Sequence, residues 1–220
     1  MLSAVIPTLN AASTLAATLA SLAPADEVVV VDSGSSDLTS AVARAGGAHV
    51  VEAPRGRGVQ LAQGAMAARG DWLLFMHADT VLSAGWIDTV RNFMAMPDNR
   101  DRAAYCRFKL RSDAAAARRL EAAVAWRCRL LALPYGDQGL LIARRTYEAI
   151  GGYRALPLME DVDLVRRLGR ARLVQLAVDA CTDASRWERE GWALRSARNS
   201  LCLGLYFAGL PPVMIKRLYG

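Results

Sequence analysis

The 220-residue sequence has only two histidines, two lysines and four cysteines, and no apolar run long enough to cross a bilayer. Cys106, Cys128, Cys181 and Cys202 lie far apart with no C-x-x-C pair. That spacing argues against a disulfide framework or a zinc ribbon and predicts reduced, mostly buried thiols. The N-terminal stretch from Met1 to Pro7 has no basic segment, and Pro7 and Asn10 interrupt it too early for an export signal, so it reads as a strand. No stripe of aromatics alternates with basic residues and no zinc-finger spacing is present, so nucleic acid is not an expected partner. Internal repeats and long linkers are also missing. With 53% hydrophobic and 22% charged residues the chain is not disordered, and the expectation is a single domain over 1–220.

The charge is unevenly spread. Residues 1–100 carry 6 basic and 9 acidic side chains, and residues 101–220 carry 21 and 12, which predicts that the two halves face different partners, the basic second half receiving an anionic acceptor such as a polyprenyl phosphate or touching acidic lipid. Of the 27 basic residues 25 are arginine, the cation that grips phosphate and carboxylate through two parallel bonds. Short apolar runs alternate with helical stretches: strands at 2–6, 27–31, 48–51 and 71–76, helices at 11–22, 37–45 and 59–68. This rhythm predicts an α/β fold with a mostly parallel central sheet and ligands at the strands' carboxyl ends. After residue 100 the pattern becomes less regular, with strands at 103–110, 140–143 and 172–178, helices at 114–131 and from 160, and a helical tail from 187 to the prolines at 211 and 212.

Four places can carry chemistry. Asp32 ends a Val28–Val31 strand beside Gly34, where a carboxylate can accept bonds from a ribose or base; a turn with a helix cap explains it equally well. Arg55-Gly56-Arg57-Gly58 offers permissive backbone and two guanidiniums for phosphate oxygens. Asp79, in His77-Ala78-Asp79, follows the fourth strand and is placed to hold a divalent cation, although a single acid there is more often a cap. Glu160, Asp161 and Asp163 precede Arg166, Arg167 and Arg170, a pattern that also suits the helix dipole. Since successive helical residues point about 100° apart, Glu160 and Asp161 serve different contacts, and one of them is a candidate base.

In this order, these segments resemble glycosyltransferase family 2, whose members have the GT-A nucleotide-diphospho-sugar transferase fold. The likeness runs through Ile6-Pro7-Thr8-Leu9-Asn10, the Asp32-to-Asp37 segment, Arg55 to Gly58 with Gln60, His77 to Asp79, Gly136-Asp137-Gln138-Gly139, Glu160-Asp161 and Arg186-Trp187. It is most similar to a small bacterial subgroup named for arsenosugar biosynthesis. The resemblance implies an inverting, metal-assisted transfer from a nucleoside-diphosphate sugar to an acceptor hydroxyl or phosphate, with Mg or Mn as cofactor. It assigns Pro7, Thr8, Asn10, Asp32, Gly34, Arg55, Arg57, Gln60, His77 and Asp79 to the nucleotide sugar and Asp79 to the metal. Asp161 with Glu160 falls on the catalytic pair, and Asp137, Gln138, Arg186 and Trp187 on the acceptor or diphosphate. The chain departs from the family at Ala11, where many relatives have Glu, and at His77, which replaces the first acid of the DXD element. Only Arg-Trp remains of a longer Gln-x-x-Arg-Trp element.

Two other readings stay open: a non-catalytic nucleotide-binding or membrane-surface adaptor of the same fold, and a sugar nucleotidyltransferase. The missing G-x-G-x-x-G after the first strand argues against a dinucleotide-binding dehydrogenase. The expected location is the cytoplasm. The uncharged stretch Leu201 to Leu210, flanked by Arg195, Arg198, Lys216 and Arg217, either packs on the core or makes a peripheral contact at the inner membrane face.

Overall fold

In β1 (Leu2–Thr8) and β2 (Glu27–Asp32) successive side chains point to opposite faces, and both faces are apolar, which marks strands covered on both sides. The computed structural model, which describes residues 1–219, shows them paired in parallel, so that Thr8 and Asp32 end side by side. With β3 (His49–Glu52) and β4 (Trp72–Phe75) they form a four-stranded parallel block, order β3-β2-β1-β4. Ala4, Ile6 and Val30 pack on one face against Leu15, Leu19 and Leu22 of α1 (Ala12–Leu22), with α2 (Thr39–Ala45) on the same side through Ala43. Val5, Val29 and Val31 face the other way, onto Leu61 and Ala65 of α3 (Arg57–Ala67). That helix lies so close to the sheet that a Cβ on Gly64 would stand 2.4 Å from Val5 Cγ1.

Beyond β4 the sheet changes direction. β5 (Thr80–Leu82), β6 (Ala103–Arg111), β7 (Leu140–Ala143) and β8 (Leu173–Asp183) complete one eight-stranded sheet, order β3-β2-β1-β4-β7-β6-β8-β5. β7 runs antiparallel to both β4 and β6, β6 and β8 are parallel, and β5 is antiparallel to β8. The sheet is therefore parallel in its first half and mixed in its second.

The strands and helices expected from the sequence are present with shifted ends; the strand expected at 172–178 runs on to Asp183, and the helical tail expected from 187 is divided at Gly191. Four elements were not anticipated: the three-residue β5, α4 (Trp86–Ala95), which buries Trp86, Val90 and Phe93, and the helices at Arg144–Ala149 and Pro212–Tyr219. The helix expected from Asp37 starts at Thr39 without a side-chain cap; Asp37 instead accepts from the Thr39 and Ala12 N–H groups. Arg57 and Gly58 form the first turn of α3 and not a loop. The second half carries α5 (Ala115–Leu131), α6 (Arg144–Ala149), α7 (Glu160–Leu168), α8 (Ser185–Glu190), α9 (Trp192–Phe207) and α10 (Pro212–Tyr219). Cys106, Cys128 and Cys202 are buried free thiols, and Cys181 is half-buried. No helix among the described residues is long and apolar enough to cross a membrane. The 201–210 stretch divides: Cys202 is buried and Leu203 and Tyr206 touch the core, while Leu201 and Phe207 are 58% and 48% exposed.

Candidate active site

The reversal of β7 builds the site. Because Phe75 pairs with Leu140, the 3-10 turn Gly136–Gln138 just before β7 lands beside the carboxyl end of β4, against His77. The fit is tight, since a Cβ on Gly136 would lie 2.6 Å from His77 Nε2. β8 brings its own carboxyl end to the start of β5, where the Asp183 N–H donates to the Asp79 carbonyl at 3.0 Å. Two sequence-distant acids thus reach one cavity of about 480 Å³: Asp79 from the β4–β5 connection and Asp161 from the first turn of α7. Arg57, His77, Asp137, Glu160, Arg186 and Trp187 line it too.

Asp161 and Glu160 are neighbours with different surroundings. Asp161 Oδ2 accepts the Gly136 N–H at 2.9 Å and Oδ1 accepts the Val162 N–H at 2.8 Å, so the carboxylate is held by backbone while its remaining lone pairs stay free. Glu160 is 1% exposed and faces Arg57 Nη1 at 3.3 Å, a charge pairing without hydrogen-bond alignment that leaves Oε1 with no donor. Burial raises the Glu160 carboxyl above its usual range and Arg57 only partly opposes this. Glu160 is thus sealed and committed to Arg57, and Asp161 is the acid of the two with accessible acceptor capacity left over.

Burial, then Arg57 and Arg186, push His77 down to about 3, so its imidazole is neutral. Burial, with the charges of Asp161 and Asp79 adding to it against Arg127, raises Asp137 to about 6. Its Oδ1 is cut off from water without a partner among the described residues. Among the described residues no cluster of three or more His, Cys, Asp or Glu side chains is assembled to hold a metal ion. Magnesium, however, is ordinarily held by one or two carboxylates plus substrate phosphates. Asp79 and the unpartnered Asp137 oxygen, beside a neutral imidazole, fit a cation that arrives with a diphosphate.

Of the other predicted residues, Asp32, Gly34 and Arg55 line a second hollow of about 500 Å³ at the ends of β2 and β3, whereas Pro7, Thr8, Asn10 and Gln60 do not line it. Burial would raise Asp32, but hydrogen bonds from Ser35 and Thr8 outweigh it and hold the carboxyl below its usual range. Asn10, at φ 52°, accepts the Ser36 N–H and so ties the loop after β1 to the loop after β2, next to Pro7.

Two residues that the motifs assigned to ligand contact lie beneath the surface instead. Gln60 is buried and its amide donates to the Thr8 and Val31 carbonyls, bridging the ends of β1 and β2. Gln138, 1% exposed, donates to the Cys106 carbonyl and accepts from Arg127, Cys128 and the Tyr135 N–H. Thr8 is buried as well and acts through Asp32. Motif reading missed the tail: Glu190, Arg195, Arg198, Asn199 and Tyr219 all line the central cavity. Its signal was the i, i+3, i+4, i+7 spacing of Arg195, Arg198, Asn199 and Cys202, which also describes an ordinary solvated face.

A family model described as Glycosyl transferase family 2 matches residues 3–148, and so ends before α7. No curated protein matches the chain. Among solved structures the chain is similar to glucosyl-3-phosphoglycerate synthase from Mycobacterium tuberculosis in complex with Mn2+, UDP and glucosyl-3-phosphoglycerate. The identity is 22% and the TM-score 0.58, over 83% of this chain and 70% of that one. The same enzyme with Mg2+ and UDP matches at 23% identity and TM-score 0.59 over 83% and 70%. Its complex with phosphoglyceric acid matches at 22% and 0.59, again over 83% and 70%. At these identities the likeness establishes a shared GT-A fold.

Proposed function

The chain belongs to glycosyl transferase family 2, and from that premise we propose that it moves a sugar, with inversion, from a nucleoside-diphosphate sugar to an acceptor in the central cavity. The observation that carries the reading is the convergence of Asp79 and Asp161 on one cavity from separate ends of the fold. Asp161 takes the proton of the acceptor hydroxyl as its oxygen bonds to the anomeric carbon. The bond from that carbon to the diphosphate breaks, and the nucleoside diphosphate leaves on the opposite side. Arg57 and Arg186 stabilise the departing negative charge, and Glu160 holds Arg57 in place. Asp79, with Asp137, would hold a divalent cation whose charge neutralises the diphosphate. The nucleoside lies along the Asp32, Gly34 and Arg55 hollow. UDP is the first base to test, because the similar mycobacterial structures contain it.

A thermal-shift panel of UDP, GDP, CDP and dTDP sugars, each with and without Mn2+, tests the reading. One nucleotide class should raise Tm, more so with the metal. A flat response to all of them removes the proposal.

A further inference from the structure

Arg195, Arg198 and Asn199 share one stripe of α9 and line the same cavity as Asp161, yet the chemistry above uses none of them. Both guanidiniums are fixed. Arg195 donates to Glu190 Oε1 at 2.7 Å and Arg198 bonds Glu190 Oε2, while Arg195 lies 5.1 Å over the Trp187 ring and Arg198 5.1 Å over Tyr219. One carboxylate against two guanidiniums leaves a positive charge over; Arg186 and Arg189 line the same cavity, as does Asp183, which is paired with Arg111.

The stripe is also unsatisfied. Among the described residues, Arg195 Nε, Arg198 Nε and the Asn199 amide oxygen are sealed from water without a hydrogen-bond partner. Leaving such groups unpaired is unfavourable, and three together on one cavity wall point to a missing ligand. Two donors beside a net positive charge call for an anion, for which the planar guanidinium fork suits phosphate or carboxylate. The amide oxygen calls for a donor, such as a hydroxyl.

Resting on the transferase reading above, we propose that this face of α9 is the acceptor subsite and that the acceptor is anionic, held by a phosphate or carboxylate on Arg195 and Arg198. A neutral sugar alcohol would leave the excess positive charge of the Glu190, Arg195 and Arg198 triad uncompensated. The anion has two sources, a soluble hydroxy-acid phosphate or the head of a polyprenyl phosphate. In the first a separate hydroxyl gives its proton to Asp161 and bonds to the anomeric carbon; in the second the phosphate's own oxygen bonds to that carbon with no proton to remove, and the nucleoside diphosphate leaves in both cases. An apolar trough of about 660 Å³ between α5 and α9 shares Tyr135, Asp137, Trp187 and Asn199 with the cavity, so a lipid tail would have a path from the head.

The test is calorimetric. The protein is first saturated with Mn2+ and the nucleoside diphosphate that binds it best, then titrated with inorganic phosphate. Binding to the loaded wild type, weakened at least tenfold in the Arg195→Gln/Arg198→Gln double variant and partly recovered in the double Lys variant, is the expected result. Nucleotide affinity should be unchanged in both variants, which also reports that they are folded; if the double variant does not fold, Arg198→Gln alone is read against the same criterion. No phosphate binding to the loaded wild type, or equal binding by the Gln variant, overturns the inference. A failure of nucleotide binding instead strikes the transferase reading, and the anion criterion is then read on nucleotide-free protein. Turnover with 3-phosphoglycerate against polyprenyl monophosphate in micelles separates the two sources, and transfer to a neutral sugar alcohol that survives the Gln substitutions also overturns it.

Discussion

Replacing Asp161 with Asn tests the centre of the mechanism, and the structure makes its two effects separable. An amide has one oxygen where the carboxylate has two, and Asp161 uses both to accept backbone N–H groups, from Gly136 at 2.9 Å and Val162 at 2.8 Å. In Asp161→Asn one of these donors faces an NH2 group and loses its partner, which should lower stability by about 1 kcal/mol. For a chain of this length that is a fall in Tm of roughly 2–4 °C. Loss of the base should slow turnover by about 10²- to 10⁴-fold. Donor affinity should hold, because the proposed mechanism sets Asp161 against the incoming group and not the nucleotide. The assay is release of nucleoside diphosphate from the nucleotide sugar, with water as the acceptor if no better one is in hand, alongside donor titration and melting. A variant whose Tm drops as expected but whose turnover stays within threefold of wild type would refute the reasoning, because the contact would have been broken and the chemistry left intact.

Asp79→Ala should weaken Mn2+-dependent nucleotide binding about tenfold or more while leaving metal-free binding near wild type; equal affinity with and without chelator in both proteins would sink the metal role. Asp137 holds its proton more tightly in the folded chain, at about 6 against an ordinary 3.8, so stability declines as pH rises from 4 to 6 and stays reduced above that. Asp137→Asn should therefore melt higher at pH 7, by at most roughly 3 kcal/mol, and match wild type at pH 4. A constant difference across that range would rule out ionisation as the cause. Gly64→Ala pushes a methyl to 2.4 Å from Val5 Cγ1, and urea unfolding should show a loss of about 1–3 kcal/mol; an unchanged midpoint would mean that α3 can lift off the sheet freely.

The parallel half of the fold was legible because its signals are local. Val28 to Val31 is a β-branched run ending at an acid, and Leu15, Leu19 and Leu22 repeat at helical spacing. The antiparallel entry of β7 was not legible, since the four residues Leu140 to Ala143 look the same in either direction and only pairing with β4 decides. β5 was too short to register beside a motif, and α4 was overlooked although Trp86, Val90 and Phe93 already lie on one helical face. At the site, motif order located Asp32, Asp79, Asp137 and Asp161 but could not tell a side chain that lines a cavity from one that props it up. Gln60 and Gln138 are of the second kind, and only their partners reveal it. Arg195, Arg198 and Asn199 were hidden for the opposite reason, because arginines spaced along a terminal helix usually face water.

The turn before β7 ties the reacting carboxylate to a distant helix. Gly136 holds Asp161, and two residues on Gln138 grips Arg127 and Cys128 near the end of α5 and the Cys106 carbonyl in β6. These bonds join α5 and β6 to the turn that holds the Asp161 carboxylate. On the proposed mechanism, a substitution that disturbs the packing of α5 around Gln138 should lower turnover while leaving donor affinity unchanged.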